Sequence, residues 1–311
     1  MVAVLLVLVG VPVLVLVLRS SPTPHRSATA AAASASPSPS PTPMSPEQYQ
    51  KVLDDLARSL GAKFGALGAD RTPDQLRMDV VSMRDELSGS FNILQTATPP
   101  PQVRPAHDRL LTALTQLSEI VNEVVAAAGN AELCGGSSAL SRITTSPAAD
   151  AVRTAIKGLS TADPTHPYPV AAFLPTGTPE ANRQLGNGAV IKKSTKGPNT
   201  LKVEDNGDTD AVLTLAPAGS TSTALMVYVR AGQTATTNGV KDGSYDMYVA
   251  SGHDWDGGAK AFTRNCAYEK FTDPADFSST KSTYTILTIT LHAASGGNAS
   301  ATPTDPGSFP T

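Results

Sequence analysis

The stretch Ser251–Cys266, SGHDWDGGAKAFTRNC, gathers a His, two carboxylates, the only Trp of the chain and one of its two cysteines. Paired carboxylates hydrolyse glycosidic bonds when they stand roughly 5–10 Å apart across a substrate. Asp254 and Asp256 are two residues apart, so on a strand they would project from the same face. The sequence supplies no independent nucleophile, base and orienting group beside them. No catalytic residue is assigned. His253, Asp254, Trp255 and Asp256 form a candidate binding set, with the indole as a platform for a sugar or a peptide. The competing reading is structural: Trp255 plugs a core or a domain junction, and the carboxylates cap turns.

Two further groups bear on chemistry. Asp205–Asp210, DNGDTD, has the look of a calcium loop. An EF-hand loop needs Gly at its sixth position and Glu at its twelfth. Asp210 and Ala216 stand there instead, so the stretch reads as a hairpin turn. Cys134 and Cys266 are the only cysteines. An even count in an exported chain favours a disulfide. With no matched His pair, neither a metal site nor a cofactor is implied.

What must position these residues follows from composition and pattern. Among 311 residues there are 25 Pro and 24 Gly, with only 5 % aromatic and 16 % charged residues. The net charge of −3 gives no basic field, so nucleic acid is not an expected partner. Residues 1–18, MVAVLLVLVGVPVLVLVL, carry no charge. A membrane helix needs about 20 apolar residues, with a lower limit near 17, whereas a signal-peptide core has about 7–15. The segment therefore reads as a single-pass anchor or uncleaved signal. If it is cut, Ala28-Thr29-Ala30 and Ala33-Ser34-Ala35 offer small-residue sites. Arg19 and Arg26 follow the apolar run and taken alone would hold the bulk of the chain inside. The Ser/Pro/Ala-rich linker over 19–44 argues for the outside, as an extended stalk.

From Ser45 the period becomes helical. Ser45-Pro46 and Thr72-Pro73 are cap-and-proline starts. Stripes follow at Tyr49, Leu53, Leu56, Leu60 and Phe64, then at Leu76, Val80, Met83, Leu87, Phe91 and Leu94. A third runs from Leu110 to Val124, and a fourth follows Ser146-Pro147. Three or four amphipathic helices over 45–160 make a bundle. Residues 161–186 read as a linker. Over 187–295 the period becomes two, with Asn206-Gly207, Asn238-Gly239 and Asp242-Gly243 as turn signals. This predicts an antiparallel β-sandwich, immunoglobulin-like or transthyretin-like, with Tyr245 packing a corner and bonding backbone. Residues 296–311 read as an irregular tail. The fold class is α+β, in several domains.

Three segments, CGGSSALSRITTSP, DGSYDMYVASGHDWDGGAKAFTRNCAYEKF and GGNASATPTDPGSFP, together resemble a module of exported and membrane-anchored proteins from high-GC Gram-positive bacteria. The resemblance covers Cys134 to the end. It implies an envelope location and linked cysteines, and it carries no activity or catalytic residue with it.

The expected protein is a membrane-tethered envelope protein, bulk outside, with a non-catalytic binding module. Its expected partners are the membrane and an envelope glycan or protein. A hydrolase of envelope polymer, and a structural or sensing ectodomain without a small ligand, remain alternatives. Protease added to intact, wall-stripped cells is expected to cut within the Ser/Pro linker and release the folded part. Protection until lysis would place the bulk inside.

Overall fold

The computed structural model describes residues 42–291 and 300–310. The expected anchor, its cleavage sites and nearly all of the stalk lie outside the described residues. Among the described residues no helix is long and apolar enough to cross a membrane. Pro41–Thr311 folds as one compact unit.

Five helices come first: α1 Pro46–Ala69, α2 Pro73–Thr96, α3 Arg104–Gly129, α4 Gly136–Thr144 and α5 Pro147–Ser160. The start of α1 is a full capping box. Ser45 Oγ accepts from Gln48 N, and Gln48 Oε1 accepts from Ser45 N at 2.9 Å. The apolar stripes close on one another as their spacing predicts, leaving only Phe91 and Ile156 partly exposed. Two expectations fail here. A short helix, α4, follows Cys134 where the sequence showed no long stripe. Residues 161–186 are not a free linker: Tyr168, Phe173 and Leu174 are buried in the bundle core.

Ten strands follow: β1 Val190–Lys193, β2 Asn199–Asp205, β3 Asp210–Pro217, β4 Leu225–Val229, β5 Thr234–Val240, β6 Gly243–Asp256, β7 Ala261–Phe271, β8 Ala275–Phe277, β9 Ile286–Leu291 and β10 Ala301–Pro303. The larger sheet runs β1-β4-β3-β6-β7-β10, with β8 also on β6, and is antiparallel throughout. The smaller runs β5-β2-β9, and its β2–β9 pair is parallel. Side chains of both sheets, among them Leu201, Val203, Leu213, Val227 and Leu291, share one apolar cluster.

The turn signals are redistributed. Asn206-Gly207 leads from β2 to β3 and Asp242-Gly243 from β5 to β6, so both cross between sheets and neither closes a hairpin. The two-residue signal reads local backbone bending, whereas pairing is decided by which apolar face must be covered. Asn238-Gly239 lies inside β5, where Gly239 sits at φ 88°. The expected alternation also fails in β3, which is buried from Asp210 through Ala216, and in β4, buried throughout. One face of these strands meets the small sheet. The other packs Val212, Met226 and Tyr228 with Trp255 and Phe262 in a second apolar cluster that reaches the disulfide. Tyr245 behaves as expected: its hydroxyl donates to Lys241 O at 3.0 Å and its ring meets Phe277 edge-on.

Where α1 passes to α2, Asp70 is buried beside Gly136, at which any Cβ would collide with the Leu67 carbonyl. Its Oδ2 has no hydrogen-bond partner among the described residues. Burial, together with a hydrogen bond and like charge from Asp79, lifts the Asp70 carboxyl to about 7. A raised folded-state value means that the unfolded chain loses this proton first. Stability is therefore expected to fall as pH rises from about 4 through about 7, then level off. Urea titrations across that window are expected to show the slope in the native chain and a flatter one in Asp70→Asn.

Candidate functional site at the junction of helices and sheets

The SGHDWDGG stretch forms the end of β6 and its turn into β7. Between Ser251 and His253 the β6–β7 register slips by one residue. Gly252 permits the slip, since a Cβ there would lie 2.7 Å from Phe262 Cβ and 2.8 Å from Arg264 O. Asp254 follows at φ 57°, a left-handed conformation that Asp tolerates better than most residues. The result turns its carboxylate inward, where the side chain is 1 % exposed.

That carboxylate is fully engaged. It accepts from Arg183 N (2.9 Å), Arg183 Nε (2.8 Å), Arg183 Nη2 (2.7 Å) and Thr263 Oγ1 (2.6 Å). Burial would raise the Asp254 pKa, but the bonds from Arg183 and Thr263 outweigh it and hold the carboxyl below its ordinary value. Asp256 Oδ2 takes Arg183 Nη1 at 3.1 Å, while its Oδ1 caps the turn by accepting from Gly258 N and Ala259 N. The bonds from Asp254 and then Asp256 push the guanidinium's own pKa upward. The two carboxylates thus converge on one Arg.

The same cluster locks the helices to the sheets. Thr263 Oγ1 is 2.7 Å from Ser138 Oγ on α4. Cys134 N donates to Thr263 O, Asn265 N to Glu132 O and Cys266 N to Ala131 O. Arg264 holds Glu180 at 2.5 Å and Ala181 O at 2.9 Å. Cys134 and Cys266 are joined by a disulfide. Their separation of 132 residues corresponds to about 4–5 kcal/mol in chain-entropy terms. Of the four residues singled out from the sequence, Asp254 and Asp256 are brought together. Trp255 points elsewhere, and His253 sits half-buried opposite Arg264 without a hydrogen bond to either carboxylate among the described residues. Arg183, Thr263 and Ser138 carried no signal in the sequence.

Trp255 is 3 % exposed and meets Tyr228 and Phe262 edge-on, so it is no surface platform. It does form part of the wall of a cavity of about 440 Å³ on the outer face of the large sheet. The floor is Val212, Thr214, Met226 and Ala250. Tyr268 and Phe309 face it from the side, and Arg71, Lys192 and Lys260 stand around it. The volume lies in the roughly 300–1,000 Å³ range of small-molecule sites. Burial pushes the Tyr268 phenol up to about 12, so it is a neutral donor at physiological pH. A second cavity of about 340 Å³ opens beside Arg183 and Asp254, walled largely by Ser, Thr and Pro. Among the described residues no group of three or more His, Cys, Asp or Glu could hold a metal ion. No family model, curated protein or solved structure matches the chain.

Because Asp254 needs its charge for the Arg183 pair, Asp254→Asn is expected to cost about 1–3 kcal/mol. Asp254→Ala should cost more, adding about 1 kcal/mol of left-handed backbone strain. Chemical denaturation with the disulfide intact measures both. The depressed carboxyl also predicts stability that is present above about pH 4 and lost as the solution is acidified further, a loss absent from Asp254→Asn.

Proposed function

We propose that the protein is a non-catalytic binding protein of the cell envelope, tethered by residues 1–18 and held outside on the Ser/Pro stalk. In this reading the two sheets face each other as a β-sandwich of immunoglobulin-like or transthyretin-like kind, and the disulfide fixes the helical bundle to it. The observation that carries the reading is the cavity of about 440 Å³ between Trp255, Phe309 and the sheet floor. It is concave and largely apolar, and a few polar groups surround it, as in small-molecule sites. Asp254 and Asp256 are both engaged by Arg183, which favours binding over hydrolysis.

The only Trp lies on the cavity wall, so its emission reports occupancy directly. N-phenyl-1-naphthylamine, a neutral apolar fluorophore, is expected to bind one per chain and to take energy from Trp255. Ala250→Leu, which fills the floor, is expected to lower that affinity about tenfold while leaving the disulfide and the melting temperature near native. No energy transfer in the native chain, or equal binding by the variant, would count against a ligand cavity at this place.

A further inference from the structure

The charges around the cavity are all of one sign. Arg71, Lys192 and Lys260 line it, and no carboxylate does. Asp256, the acidic residue nearest Lys260 in sequence, is already spent on Arg183 and on two backbone amides. Lys192 and Lys260 form no ion pair among the described residues. Arg71 and Thr72 also bring the first turn of α2, a 24-residue helix, to the cavity, and a helix start favours negative charge.

A second observation is independent of charge. Thr214 is wholly buried in the floor, and its hydroxyl has no hydrogen-bond partner. A buried hydroxyl left without a partner costs about 1–3 kcal/mol, which a ligand oxygen would recover. The register places this hydroxyl with a cation. Lys192 of β1 and Thr214 of β3 both pair with Met226 of β4. The three residues form one row across the sheet and share its outer face, with neighbouring strands about 4.8 Å apart. Lys192 and Thr214 therefore stand two strand spacings apart, roughly 10 Å, which leaves room for one anionic head between the ammonium and the hydroxyl. Beyond this end the walls are apolar: Val212, Ala250, Trp255 and Phe309.

We infer that the cavity takes an amphiphilic anion, with an apolar body against Trp255 and Phe309 and a single anionic head held by Lys192 and Thr214. This rests on the reading of the cavity as a ligand site and adds to it the chemical class of the ligand. The neutral fluorophore above tests the cavity; matched head groups test the class.

Pro41–Thr311 contains all three apolar clusters and the disulfide and forms one compact unit, so this part is the one to titrate. Octanoate, octyl phosphate, 1-octanol and octylamine share one tail and differ in the head. Trp255 emission and calorimetry are expected to show binding of one or both anions about tenfold tighter than octanol, and weaker binding still of octylamine. Lys192→Gln should remove that preference without changing octanol binding or the melting temperature. Thr214→Val should raise the melting temperature of the empty protein yet weaken the anions, a combination that a purely structural threonine does not give. Octanol or octylamine binding as tightly as the anions, or a preference untouched by Lys192→Gln, overturns the inference and leaves a ligand cavity standing. Failure of all four probes together with the neutral fluorophore overturns both.

Discussion

One buried carboxylate organises the junction of this molecule. Taking Asp254 out of water costs several kcal/mol unless the charge is met with good geometry. Here four donors meet it, three of them from one residue, Arg183. The cost of removing any partner is high, so the arrangement is close to all-or-none. That specificity matters more than any net gain in stability. Arg183 must be in place, which fixes the segment that leaves the bundle. Thr263 must face α4, which fixes the helices on β7.

The consequence is a molecule whose two halves are joined at several points besides the segment that connects them. Backbone bonds from Cys134, Asn265 and Cys266 run between the two halves on either side of the disulfide. Arg264 adds a further pair of contacts to residues 180 and 181. The outer face of β3 and β4, which in a half-exposed sheet would be polar, is covered and apolar as a result. A cavity can persist there because its walls come from elements already held fixed. Its shape is set by the junction, and the charged residues that line it are Arg71, Lys192 and Lys260.

Much of the fold was legible because period and burial agree. The stripes of α1, α2 and α3 are buried nearly residue for residue, and the Ser-Pro start of α1 and the Thr-Pro start of α2 cap as written. Tyr245 and the cysteine pair were legible for similarly local or countable reasons. The misses are of another kind. The dipeptide signal at Asn206-Gly207 cannot say which sheet the next strand joins. No stripe announces that β3 is covered twice, because the second cover comes from residues more than forty positions away. The candidate site was half legible. The composition of HDWD pointed at a place of consequence, but the partner that decides its role, Arg183, is 71 residues upstream in a stretch with no pattern. Likewise the row Lys192–Met226–Thr214 exists only once three strands have paired.

The parallel pairing of β2 with β9 bears on the order in which the molecule is made. Leu201 has to wait for Leu287, and Cys134 for Cys266. Every contact of the bundle core, by contrast, lies within residues 44–174. Local contacts form fast and distant pairings slowly. During synthesis the helices can therefore collapse early, with an unpaired thiol at the end of α3, while the small sheet stays open until nearly the whole chain has emerged. Joining Cys134 to Cys266 then marks the last part of assembly, and an oxidant that acts before β7 appears has no correct partner to offer.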